Sequence, residues 1–238
     1  MQNTTTQLDR VKETAITFLH IEPEPIEGFE IFVSHPILES SVTYLSTGKM
    51  FDIFEDTDSY EQWLKEMENI VRTRPTVDAV FMLIRKAYKL TFFKYVAEYL
   101  SDKDFGRLLR NAWTGVEFPS DNTNTSPKER ILWFTKAKPE YLMDEEDYIK
   151  WKKLKNVFYV YRGCRNEESD IGMSWTLDKE KAKWFATRFA DENDSPVIYT
   201  YQVNKKDVFA YFSDRDESEV VVNPNKILKQ NLKIKSVY

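Results

Sequence analysis

The spacing of apolar residues changes once along this chain. Up to about residue 155 it follows the period of an α-helix, and beyond that it alternates as in strands. In SYEQWLKEMENIVR, Tyr60, Trp63, Leu64, Met67 and Val71 share one helical face, with Ser59 as the expected N-cap. Val77, Val80, Phe81, Ile84 and Tyr88 repeat the spacing after Pro75. TFFKYVAEYL and SDKDFGRLLRNAW follow, the second with a stripe of Phe105, Leu108, Leu109 and Ala112. SPKE marks the clearest helix start: Ser126 caps, Pro127 takes the first position and Glu129 reaches back in a capping box. The polar FPSDNTNTSP before it reads as a surface loop, and EEDYIKWKKLK as the last helix before Asn156.

VFYVYRG, VIYTYQV, VFAYF, EVVVN and LKIKSVY are rich in β-branched and aromatic residues and are separated by turn residues, so they are predicted strands. Val220, Val221 and Val222 run without a polar partner, as in a strand buried on both faces. One helix interrupts the strands, DKEKAKWFATRFA, with Asp178 as cap and Ala182, Phe185, Ala186 and Phe189 as its apolar face. Before residue 55 the pattern is weaker: FEIFV fits a strand, and IEPEPIEG a stiff connector. The predicted class is α+β. It has an N-terminal segment over 1–55, a helical lobe over 56–155 and a compact β core over 156–238, with 56–238 expected as one unit.

Composition narrows the function. The chain has 238 residues, with six tryptophans and sixteen phenylalanines to fill a core. Its net charge of −5 argues against non-specific binding to nucleic acid or an anionic membrane. Two basic clusters, Lys150, Lys152, Lys153 and Lys155, then Lys226, Lys229, Lys233 and Lys235, read as solvated faces. The single cysteine, Cys164, excludes an internal disulfide and suits a reducing compartment; its expected place is a turn. The N-terminus carries no secretory pattern, and the longest apolar run, AVFMLI, is too short to span a bilayer. A soluble, cytoplasmic protein is expected.

Several chemistries lack their residues. His20 and His35 stand in no metal-ligand spacing, so no metal is expected. A P-loop, a dinucleotide-binding glycine fingerprint and a nucleophile elbow are missing. What remains lies in the β core. Arg162 ends the first strand beside Gly163, Ser174 and Thr176 stand just before the inserted helix, and Glu217 and Glu219 open the valine strand. In an extended segment side chains two apart share a face, so both carboxylates are expected to meet one ligand. Singly, such features are most often a surface ion pair, a helix cap and a solvated strand edge. Their order across three strand ends is the informative part.

That ordered set resembles the mono-ADP-ribosyltransferases of the Arg-Ser-Glu type, a group that includes bacterial toxins and phage-borne enzymes. VYRG matches the arginine strand, SWT the Ser-x-Ser/Thr strand and ESEVVV the Glu-x-Glu strand. SWTLDKEKAKWFATRF and VFAYFSDRDESEVVVNP have the family's texture around those motifs. The resemblance covers about residues 100–238 and leaves the first 55 without guidance. Eleven residues separate Arg162 from Ser174, fewer than in many toxin members.

The resemblance implies two small packed sheets with one inserted helix, and NAD as substrate. Arg162 would bind an NAD phosphate, with Gly163 and Trp175 beside the dinucleotide. Ser174 would contact the nicotinamide ribose and hold Glu219, and Thr176 would support that strand. Glu219 would stabilise the oxocarbenium-like charge as nicotinamide leaves, and Glu217 would align or deprotonate the acceptor. Arg215 stands on the turn before the glutamates. The implied acceptor is a macromolecule, protein before nucleic acid, with arginine as the leaning; an inhibitor or antitoxin is an implied partner, and a phage-encoded enzyme would work in the host cytoplasm. Two other readings stay open: an NAD glycohydrolase with water as acceptor, and a non-catalytic interaction protein using Trp113 and Trp133 as surface aromatics.

Overall fold

The structure is a computed structural model that describes residues 4–116, 119–167 and 171–237. The chain forms two compact units, Met1–Glu117 and Phe118–Tyr238. The period change near residue 155 is therefore not the division between units. Helices after residue 118 belong with the strands, because the strand core needs an apolar cover that those helices supply.

In the first unit, α1 (Leu8–Leu19) is followed by β1 (Glu24–Ile26), β2 (Phe29–Ser34), β3 (Val42–Tyr44) and β4 (Met50–Asp52). Then come α2 (Thr57–Thr73), α3 (Val77–Phe81), α4 (Lys89–Val96) and α5 (Asp102–Thr114). Helix α1 packs on α2, α3 and α4. Phe18 meets Phe92 edge to face at 5.2 Å, and Phe92 lies 5.8 Å from Phe81. The predicted stripe of α5 is buried, as is Trp113, which belongs to the core rather than to a binding surface.

The first 55 residues are more regular than their pattern suggests. FEIFV is a strand, as expected, but part of IEPEPIEG is β1, paired antiparallel with β2. Pro25 fits there because an edge strand tolerates a residue without an N–H. Leu19, Val33, Leu38, Leu45, Phe51, Ile53 and Trp63 form the core under these hairpins. Helix α2 starts earlier than predicted: Asp56 caps it, accepting from the Ser59 N–H at 3.0 Å and the Ser59 hydroxyl at 2.9 Å. Lys49, 2.7 Å away, and those two Ser59 bonds hold the Asp56 carboxyl down at about 2.

The second unit begins with α6 (Pro127–Lys136), α7 (Pro139–Leu142) and α8 (Glu145–Lys153). The capping box at Ser126 and Glu129 is complete. Strands β5 (Val157–Cys164), β6 (Ser174–Thr176), β7 (Val197–Asn204), β8 (Val208–Phe212), β9 (Glu219–Val222) and β10 (Lys233–Ser236) follow, with α9 (Lys179–Thr187) between β6 and β7. Every predicted strand of this region is present. Asp178 caps α9 by accepting from the N–H groups of Glu180 and Lys181.

These strands form one antiparallel sheet in the order β10-β7-β5-β6-β9-β8 instead of two separate sheets. The join is narrow. Strands β5 and β7 pair over eight positions, whereas β5 meets β6 at the single pair Tyr161↔Thr176. Strand β6 has only three residues, all paired with β9, so among the described residues that one pair joins the two halves of the sheet. Helices α7 and α8 cover β8, and α9 covers β5. Trp133 of α6 is buried, and Cys164 is a buried strand residue opposite Val197 rather than a turn residue.

Among the described residues no helix is long and apolar enough to cross a membrane. No group of three or more His, Cys, Asp or Glu side chains among them is placed to hold a metal ion. His35 has a structural role. It is fully buried; its Nε2 donates to the Leu19 carbonyl at 3.2 Å, and Nδ1 accepts from the N–H groups of Ile37 and Leu38 at 3.0 and 2.7 Å. His20 sits on the surface, with Nε2 2.8 Å from Glu68.

Candidate functional site

The narrow join between β5 and β6 brings the first two motifs together. The Met173 carbonyl accepts from the Val222 N–H at 2.8 Å, on the β9 side. Carbonyls alternate along a strand, so that of Ser174 faces β5, where Arg162 Nη1 donates to it at 3.0 Å. The guanidinium lies against Gly172: a Cβ there would stand 3.0–3.2 Å from its Nη2, Cζ and Nη1 atoms. The Ser174 carbonyl and the backbone at Gly172 thus both border this half-buried arginine.

The third motif meets the second across β6 and β9, where Ser174 is opposite Val221 and Thr176 opposite Glu219. The Ser174 hydroxyl donates to Glu219 Oε1 along the diagonal of this pair. Glu219 is 7 % exposed, and Val220, Val221 and Val222 after it are fully buried, so the carboxylate stands where the sheet closes to water. A buried carboxylate is costly unless it accepts hydrogen bonds, and the hydroxyl meets part of that need. Arg162, Ser174 and Glu219 are therefore linked in sequence, guanidinium to carbonyl and hydroxyl to carboxylate.

Glu217 is placed differently from the expectation. Strand β9 starts at Glu219, while Glu217 has φ −94° and ψ −14°, outside the extended region. On either side Asp216 and Ser218 have φ of 56° and 46°, the left-handed region that only glycine visits freely. The two carboxylates therefore do not share a strand face; Glu217 sits on a tight turn before the strand. Residues held at such angles cost about 1–3 kcal/mol each and persist when their surroundings fix them.

Side chains from other elements hold this turn. The Thr176 hydroxyl donates to the Glu217 carbonyl at 2.7 Å and accepts from the Asp178 N–H at 3.0 Å, joining the turn, β6 and the start of α9. Asp147 of α8, fully buried, accepts from the Ser213 hydroxyl at 2.6 Å and the Ser213 N–H at 3.2 Å, where β8 enters the turn. Sequence reasoning missed Asp147. It stands among three acidic residues in the first turn of α8, a pattern that reads as complement to the helix dipole. The Arg215 side chain and residues 168–170, in the link between Arg162 and Ser174, lie outside what the structure describes.

Two expected ligand residues serve packing. Gly163 makes room for α9: a Cβ there would be 1.7 Å from the Ala182 carbonyl oxygen and 2.8 Å from the Ala186 nitrogen. Trp175 is 2 % exposed, its Nε1 donates to the Gly172 carbonyl at 3.1 Å, and its ring lies 6.4 Å from Tyr201. It steadies the loop under the guanidinium from inside the core.

Compared with protein-family models, with curated proteins and with solved structures, the chain has no match. The functional reading rests on the residues themselves.

Proposed function

We propose that residues 118–238 carry an NAD-dependent mono-ADP-ribosyltransferase activity. The observation that supports this most is the linked set of Arg162, Ser174 and Glu219 on three strands that are separated in sequence and joined at one narrow place in the sheet. A planar guanidinium suits a phosphate oxyanion. A carboxylate held by a hydroxyl suits a reaction centre that develops positive charge. NAD supplies both groups, a pyrophosphate and a ribose that turns oxocarbenium-like as its base departs.

In this reading Arg162 holds an NAD phosphate. Glu219, oriented by Ser174, accepts a hydrogen bond from a hydroxyl of the nicotinamide ribose and stabilises the cationic sugar. The bond between the sugar's anomeric carbon and the nicotinamide nitrogen breaks, and its electron pair leaves with nicotinamide. A nucleophile on the acceptor bonds to the same carbon and gives its proton to Glu217. Protein is the preferred acceptor, with arginine as the first side chain to test.

The turn conformation of Glu217 favours a second reading, NAD hydrolysis with water as acceptor, because that reaction asks less of this carboxylate. Incubating the purified chain with NAD labelled in its adenine and a cell lysate separates the two. Transfer predicts label in macromolecules, lost in Glu217→Ala while nicotinamide release persists. Hydrolysis predicts free ADP-ribose alone from the unaltered chain.

A further inference from the structure

The hairpin of β1 and β2 carries more apolar surface than a solvated hairpin supports. Every residue from 24 to 32 is exposed; β1 and β2 form a two-stranded sheet, and residues 39–41 meet the other edge of β2 through a bridge of Ser40 with Phe32 and the Ser41 N–H on the Ile31 carbonyl at 2.9 Å. Two-stranded hairpins are marginal in water unless a face is packed. Ile26 stands opposite Phe29, so these two share a face with Ile31, two residues further on. They are 39 %, 64 % and 57 % exposed. Phe32, on the opposite face of β2, is 44 % exposed. Only at Val33, fully buried, does the strand join the core.

Along the stretch that carries this arm the charge has one sign, and Arg85, from outside the stretch, stands 3.9 Å from Glu39. Residues 13–48 include Glu13, Glu22, Glu24, Glu27, Glu30 and Glu39 but no lysine or arginine. Glu22, Glu24, Glu27 and Glu30 are exposed on and beside the hairpin. Arg85 lies at its base, where Nη1 donates to the carbonyls of Val33, His35 and Leu38 at 2.8, 3.1 and 2.8 Å.

We propose that this hairpin is a docking arm for a partner protein that offers an apolar cleft rimmed by lysine and arginine. Phe29 and Ile31 are its anchors, as exposed large apolar groups that gain most from a closed pocket. The glutamates determine the sign of the rim. They are repelled by nucleic-acid phosphate and anionic lipid, and a neutral cleft would desolvate them without compensation. A cationic rim compensates them and steers the encounter. This inference is independent of the NAD chemistry proposed for the second unit.

The test uses the full chain and two fluorescent amphipathic peptides of equal length, one of leucine and lysine, the other of leucine and glutamate. The lysine peptide is expected to bind, and to weaken as salt rises from about 50 to about 300 mM. The double variant Phe29→Ser, Ile31→Ser is expected to bind it at least tenfold more weakly with an unchanged unfolding midpoint. Met82→Ser, at an 80 % exposed position elsewhere in the first unit, is expected to bind as the unaltered chain does. Binding that survives the double variant, equal binding of the glutamate peptide, or no binding of either peptide overturns the proposal. So does a Phe29-dependent dimer in ultracentrifugation, Phe29-dependent partition onto phosphatidylcholine vesicles, or a lowered midpoint in the double variant.

Discussion

The Ser174 hydroxyl donates to the Glu219 carboxylate although the two residues are not cross-strand partners: Ser174 faces Val221, and Glu219 faces Thr176. The diagonal contact leans the carboxylate toward the end of β6 where Arg162 is anchored on the Ser174 carbonyl. A single serine thus orients the acid with its side chain and the arginine with its backbone.

Ser174→Ala removes the first of these links and keeps the second. Losing one hydrogen bond to a charged group costs about 1.5–3 kcal/mol. If that bond acts in the transition state, nicotinamide release falls roughly tenfold or more. Ser174→Thr keeps a hydroxyl and should restore part of the rate. Steady-state kinetics on the three proteins checks this, and an equal rate for alanine and serine contradicts it.

The turn that carries Glu217 depends on Asp147. In Asp147→Ala the Ser213 N–H and hydroxyl lose a buried acceptor, at a cost of about 1–3 kcal/mol. Amides over 213–218 should then exchange faster, while those of β9 keep their protection. Asp147→Asn retains an acceptor oxygen and should behave between the two. Hydrogen exchange read by mass spectrometry distinguishes this from a general loss of stability, which would speed both segments together.

Gly163 tests the packing of α9. Because an added Cβ overlaps the Ala182 carbonyl, Gly163→Ala must push α9 away from β5. Overpacking of this kind costs about 1–3 kcal/mol or more, which urea unfolding measures directly. A variant as stable as the parent would show that the helix yields freely.

Burial holds the His35 pKa below its ordinary value; the Leu19 carbonyl opposes that shift, and the nearby Arg85 charge adds to it. The unfolded chain therefore binds the proton more readily, with a pKa of about 6.5. Stability is complete above that pH and declines as the pH falls below it. His35→Asn keeps an acceptor for the two N–H groups that Nδ1 serves, without a titrating ring. Urea midpoints at pH 7.5 and 5.5 should differ less for that variant than for the parent.

The two-residue alternation in VFYVYRG and VIYTYQV located β5 and β7, and SPKE located the start of α6, because in each case the local pattern and the tertiary setting agree. Departures occur where distant residues decide. Asp56 takes the cap from Ser59 because Lys49, brought in by the second hairpin, pairs with it. ESE reads as extended, but Thr176 and Asp147 from other elements hold it in a turn. Gly163 and Trp175 read as ligand residues because a glycine and an aromatic beside motif residues serve packing or binding equally well in sequence. The ordered Arg162, Ser174 and Glu219 were legible; how the narrow join of β5 and β6 links them was not, since register across a sheet is a long-range property.

Release of nicotinamide from NAD by the purified chain, compared with Glu219→Gln, tests the central proposal most directly. The predicted result is measurable release by the parent and a loss of roughly a hundredfold or more in the variant, with NAD still raising the variant's unfolding midpoint. No release by the parent, or equal release by both proteins, would contradict the role given to Glu219.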